Sequence, residues 1–327
     1  MRFDSVFGAR FPPLSGVFFI LACLAACTAP QTRALRDTAP SEPRQVELTQ
    51  TPFFPQSDFQ CGPAALATAL RAAGIAVDPD SVAPQVFLPE RKGSLQLEMI
   101  AAARRNGALP VPLAPELRAL LVEMGAGRPV IVLQNLSLSW APIWHYAVAI
   151  GYDLDASEII LRSGRTRRLT MSMSTFERTW ARGGYWAIAV AAPGSVPASV
   201  SEPSYLQAAL AFEKVAPPDQ SLLAYQAATR RWPASELAWM GTGNSAFRLK
   251  QWQVAESAFR RAAESGKDPV PALNNLALTL EATGRIDEAI EIARRATAAG
   301  GPFETTARET LAELLARSAH TATTEKQ

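Results

Sequence analysis

The C-terminal part of the chain repeats itself every 34 residues, and this period restricts its fold more than any other feature. Tyr205, Trp239 and Leu273 fall in one register. Ala224, Ala258 and Ile292 fall in a second, Tyr225, Phe259 and Ala293 in a third, and Ala228, Ala262 and Ala296 in a fourth. A unit of this length is one helix pair, which cannot bury its apolar face alone, so successive pairs must stack. Gly284-Arg285 reads as the end of one helix and Asp287-Glu288-Ala289 as the start of the next. The expectation is an all-α repeat domain over 204–318: three repeats to about residue 305, a capping helix over 305–318 and a disordered tail over 319–327. The Pro/Ser-rich stretch 191–203 reads as a linker. Residues 46–190 are then left to fold around a core of their own.

The chain has 327 residues, 48% of them apolar, enough for two packed domains. A net charge of +2, with the charges interspersed, leaves no basic stripe for nucleic acid. The cysteines are Cys23, Cys27 and Cys61, and the histidines His145 and His320. A structural zinc site needs about four such ligands close together, so neither a metal nor another cofactor is expected.

The apolar run from Leu14 to Ala26 is too short to cross a bilayer, which takes about 20 apolar residues, and has the length of a signal-peptide core. It ends in Leu24-Ala25-Ala26-Cys27, which resembles the lipobox of bacterial lipoproteins. That resemblance implies an exported chain (signal segment 1–27) lipidated on Cys27. Cys23 is the poorer candidate because bulky Leu21 stands two residues before it. Thr28 after the cysteine implies, by the sorting pattern, the periplasmic side of the outer membrane. Residues 28–45, rich in Pro, Thr and Arg, read as a flexible tether. Cys61 is then the only free thiol of the mature chain.

Ala64–Ala73 is almost pure helix former, closed by Gly74, with Pro63 in the first turn. Cys61 therefore opens a helix, where the partial positive charge should lower its thiol pKa, and Gly62 should leave room for a substrate. Gln56 and Cys61-Gly62-Pro63-Ala64 resemble the nucleophile motif of papain-like cysteine peptidases, nearest the bacteriocin-processing branch that removes double-glycine leaders. The resemblance implies that Gln56 donates to the developing oxyanion; Gln60 is the weaker alternative. His145-Tyr146-Ala147-Val148-Ala149-Ile150-Gly151-Tyr152 opens a strand and resembles the same family's histidine segment, which implies His145 as base. Where that family carries an Asp or Asn to orient the histidine, this chain has Leu161-Arg162-Ser163-Gly164. A hairpin centred near Leu154 brings Ser163 opposite His145 within a residue or two, so Ser163 is the expected orienting group. Trp140 and Trp144 fit a cleft wall or the core equally well, and Ser94 reads as the N-cap of a helix to Asn106.

Helices followed by strands give an α+β papain-like domain over 46–190, ahead of repeats that resemble tetratricopeptide repeats. The combination implies a thiol peptidase that takes a peptide or protein substrate, with a protein partner on the repeats and a membrane attachment through Cys27. A non-catalytic adaptor on a degenerate peptidase fold, and a transferase using the same thioester, are the alternatives. Growing cells on labelled palmitate tests the anchor: label should enter the wild-type chain and be absent from Cys27→Ala, whereas equal labelling of Cys23→Ala and wild type would confirm the choice between the two cysteines.

Overall fold

A computed structural model describes residues 29–37, 43–56 and 59–324. The whole signal segment 1–27, with Cys23 and Cys27, lies outside the described residues, as does Thr28. In chain order the N-terminal part has α1 (Pro30–Asp37), β1 (Gln45–Glu47), α2 (Cys61–Ala72), α3 (Pro79–Val86), a small hairpin of β2 (Phe87–Leu88) and β3 (Gly93–Ser94), α4 (Gln96–Arg105), β4 (Leu109–Pro112), α5 (Leu117–Gly125), β5 (Val130–Asn135), β6 (Trp144–Asp153), β7 (Glu158–Ser163), β8 (Thr166–Ser172), α6 (Met173–Arg182) and β9 (Ala187–Ala191). The main sheet is antiparallel at every pairing and ordered β4-β9-β5-β6-β7-β8. β1 pairs with the far end of β6, Glu47 opposite Gly151.

The sheet is buried on both faces, so its central strands read as continuous apolar runs. Leu66, Leu70, Met99 and Ala103 from α2 and α4 pack on Tyr146, Val148, Ile150 and Ile160. On the other face Leu120, Met124, Phe176 and Trp180 from α5 and α6 pack on Val132, Ala147, Ala149 and Leu161. This is the expected α+β region with an antiparallel sheet.

The helical region follows as α7 (Glu202–Glu213), α8 (Pro218–Arg231), α9 (Glu236–Arg248), α10 (Trp252–Ser265), α11 (Val270–Ala282), α12 (Ile286–Ala299) and α13 (Glu304–Thr324). Tyr205, Phe212, Ala224 and Tyr225 belong to the same apolar cluster as the sheet residues Leu109 and Val111. The repeats thus continue the core of the first region.

Three stretches differ from the sequence expectation. The tether over 28–45 contains α1, pinned where buried Glu177 accepts from the amides of Gln31 (2.9 Å) and Thr32 (2.7 Å). A carboxylate at a helix N-terminus complements the exposed amides and the dipole, but this carboxylate lies about 145 residues away in sequence and local reading does not find it. The tail over 319–327 is helical as far as Thr324, because α13 continues past Ser318. Ser94 caps no helix: it pairs with Phe87 in β3, and α4 starts after Leu95 without a side-chain cap.

The 191–203 stretch is held by fully buried Glu123, which accepts from Ser199 N (2.6 Å), Ser199 Oγ (2.7 Å) and Arg128 Nη1 (2.8 Å). Arg128 Nη2 donates in turn to Ser195 Oγ at 2.7 Å. Removing one partner of such a pair strands the other without water. Glu123→Ala should therefore cost about 3 kcal/mol and uncouple the repeats, so that a single thermal transition becomes two in calorimetry; an unchanged single transition would show that the clamp does not join the two regions.

Candidate active site

Cys61 is the first residue of α2, and residues Gly62 to Leu70 behind it are all buried. The apolar seating of this alanine-rich helix therefore fixes the position of the sulfur. Gly62 makes the seating possible: a Cβ there would lie 2.2 Å from Ser94 Oγ. The space at Gly62 is filled by β3, so this glycine serves helix packing and the expected room for substrate is not there.

The thiol faces the backbone amides of Tyr146, Gly62 and Cys61 itself, each of which favours the thiolate. Burial outweighs them and pushes the thiol above its ordinary value of 9.0. The lowering expected from the helix terminus alone is thus overturned. Burial acts on His145 as well and holds the imidazole below its ordinary 6.5. Both shifts favour the uncharged forms, a neutral thiol and a neutral imidazole on one cavity.

His145 stands at the second position of β6, opposite Gln134 of β5. It shares the alternation of Ala147 and Ala149, the face covered by α6, whereas α2 covers the face of Tyr146 and Val148. Two residues on opposite faces meet only where the sheet ends, and His145 is at that end. Its ring lines the same 1110 Å³ cavity as Cys61 and Gln56, and the sulfur faces the amide of Tyr146, the residue next to His145.

Ser163 closes β7, and its Oγ lies 2.8 Å from His145 Nε2. In the tautomer whose Nε2–H donates to Ser163, Nδ1 holds the lone pair that can take a proton. Asp153, at the opposite end of β6, accepts from Ala156 N in the turn. No carboxylate among the described residues bonds the imidazole. The loop bearing Gln56 is tied to the turn that follows β7: Gln56 N donates to Gly164 O at 3.1 Å. Arg162, 4% exposed, donates to Thr49 O (3.1 Å) and Thr51 O (3.1 and 3.3 Å). Gln60 does not line this cavity and belongs to a separate groove beside α3.

The sequence reading missed Arg162 as the anchor of the Gln56 loop, and it missed Tyr146, whose hydroxyl donates to Ser94 O at 3.3 Å. A charged residue inside an apolar strand was the available signal for Arg162. Trp144, 54% exposed, lines the cavity, while Trp140, 82% exposed, stands outside it; neither belongs to the core. His320 is in α13. Among the described residues no three His, Cys, Asp or Glu are grouped to hold a metal, and no helix is long and apolar enough to cross a membrane.

Residues 48–188 match the model of the Peptidase_C39 like family. Residues 206–269 and 251–305 match a tetratricopeptide repeat model. The chain thus carries a C39-like peptidase domain followed by tetratricopeptide repeats. No curated protein matches it. Among solved structures, a C39-like peptidase from Bacillus anthracis is 20% identical over 45% of this chain and 98% of its own, with a TM-score of 0.39. The peptidase domain of Streptococcus ComA, a bifunctional ABC transporter of a quorum-sensing pathway, is 21% identical over 44% of this chain and 99% of its own, with a TM-score of 0.36. YrrB, a repeat protein with an unusual peptide-binding site, is 20% identical over 36% of this chain and 60% of its own, with a TM-score of 0.32.

A neutral pair acting as nucleophile and base would work only while the imidazole is unprotonated and the thiol still holds its proton. With His145 lowered and Cys61 raised by burial, the pH profile of kcat/KM should rise through a limb below 6.5 and fall only above 9.0. A profile with its acid limb near the low pKa of a thiolate–imidazolium pair would contradict this.

Proposed function

We propose that this chain is a thiol peptidase in which Cys61 attacks the scissile carbonyl and His145 moves the proton. The observation that carries the reading is the shared cavity: the sulfur of Cys61 and the imidazole of His145 both open into it, beside the amide of Tyr146. His145 Nδ1 takes the Sγ proton as sulfur bonds to the carbonyl carbon. The oxyanion meets the Gln56 side-chain amide and the backbone N–H of Cys61, which heads its helix without an intrahelical acceptor. Collapse breaks the C–N bond, and the imidazolium returns its proton to the departing amine. Water, deprotonated by His145, then cleaves the thioester. Ser163 accepts from Nε2 and keeps the ring oriented.

The wider setting belongs to the same proposal. Cys27 carries a lipid that holds the chain on the periplasmic side of the outer membrane, and the repeats recruit the substrate or a partner protein. A second reading, a non-catalytic adaptor, draws support from two features: the imidazole has a serine where a carboxylate would hold it more firmly, and burial disfavours the thiolate.

Turnover of a peptide library read by mass spectrometry separates the two. Cys61→Ala should abolish cleavage, and His145→Ala should lower it by about 10²–10⁴-fold. Ser163→Ala removes one neutral hydrogen bond, a loss of about 1 kcal/mol, and should slow the reaction about fivefold. The adaptor reading wins if wild type and Cys61→Ala give the same products and Cys61 alkylates no faster in wild type than in His145→Ala.

A further inference from the structure

The cavity at Cys61 is ringed by cations. Arg91 and Lys92 enter from the turn between β2 and β3, Arg165 from the turn between β7 and β8, and Arg182 from the end of α6. None of the described residues lining the cavity bears a carboxylate. The chain as a whole carries only +2, so this concentration of one sign is local and does not reflect a basic protein.

Several surface cations elsewhere are paired, among them Arg168 with Glu47, Arg260 with Glu256 and Arg285 with Glu288. The four at the cavity have no carboxylate partner among the described residues. Arg182 donates to Asn135 O at 3.3 and 3.1 Å, which fixes the guanidinium without neutralising it. Lys92 Nζ lies 5.7 Å from the centre of the Phe59 ring, a contact that likewise leaves its charge in place. Asp58 lies outside the described residues.

The walls have an apolar share as well. Phe59, Ile143 and Trp144 line the cavity and are each more than half exposed. Arg91, Lys92 and Phe59 come from the chain next to α2 and β3, and Arg165, Arg182 and Trp144 from the turn after β7, the end of α6 and the start of β6. A segment held in the cavity therefore meets cations and aromatic rings that separate elements supply.

We infer that the cleft selects an acidic peptide segment, with carboxylates on either side of a large apolar residue, and that Arg91, Lys92, Arg165 and Arg182 are its specificity-determining residues. The inference rests on the peptidase reading for the identity of the site, while its charge preference is measurable without turnover. Complementary charge draws such a segment in and disfavours a basic one, and salt weakens the preference because these groups face solvent.

The test uses the full chain with Cys61→Ala and three labelled peptides that share one apolar frame and carry two Glu, two Gln or two Lys. Fluorescence anisotropy at low salt should give at least tenfold tighter binding of the Glu peptide than of the Lys peptide, with Gln between. The difference should collapse at high salt. Arg165→Glu combined with Lys92→Glu, both exposed positions, should narrow or reverse the order. Equal binding of the three peptides, or binding of none, overturns the inference; a chain that ignores the peptides and sediments with phosphatidylglycerol vesicles would assign the cations to a lipid surface instead. Wild-type turnover keeps the two proposals apart. Charge-selective binding without cleavage sinks the peptidase and leaves this inference standing, and cleavage indifferent to charge does the opposite.

Discussion

One extra residue in β6 decides whether the imidazole has a partner. Between β6 and β7 the register runs Tyr152 with Ile159 and Gly151 with Ile160, then resumes at Ala149 with Leu161 and Val148 with Arg162. Ile150 is the inserted residue, a β-bulge. Because side chains alternate with a period of two, a shift of one residue exchanges the faces of everything beyond it. Continued one step, the observed register sets Ser163 opposite Ala147, on His145's face. Without the bulge Ser163 would stand opposite Val148, on the other face. β1 helps hold this irregular stretch: it pairs at Gly151 so closely that a Cβ there would lie 2.3 Å from Val46 O.

A second consequence of the packing is electrostatic. A helix N-terminus favours a thiolate, and the amides around the sulfur act in that direction. The same helix, however, is buried along its length, and removing the sulfur from water disfavours its charged form more strongly. His145 shows the mirror effect. In the proposed reaction the site thus starts uncharged, and charge develops only as sulfur and carbon approach. Groups already fixed in place contribute most at that moment. Tyr146, Ser94 and Arg162 belong to this fixed frame: the first two lock β3 to the strand end, and the third ties the Gln56 loop to β7.

Much of this was legible in the sequence because it is local or periodic. The 34-residue register of Tyr205, Trp239 and Leu273 gave the helical repeats, and the unbroken apolar run from Tyr146 to Ile150 gave a strand buried on both faces. The hairpin reading placed Ser163 near His145 but left open which face it occupied; that depended on a bulge without a composition signal. The pins at Glu177 and Glu123 were not legible, since each joins segments far apart in sequence. They turn an expected tether into a docked helix and bind the expected linker to α5. The direction of the Cys61 shift is not legible for a related reason: a helix terminus is visible in sequence, whereas the burial that opposes it is a property of the whole core.

The proposed peptidase depends on the orientation of one imidazole, held through Nε2 by Ser163 so that Nδ1 would serve the sulfur. Nitrogen-15 NMR of the chain with His320 replaced isolates His145. A neutral ring at pH 7 with its proton on Nε2, and an Nδ1 resonance that shifts in Cys61→Ala while Nε2 responds to Ser163→Ala, is the predicted result. A proton on Nδ1, or a ring indifferent to the loss of Cys61, would contradict it.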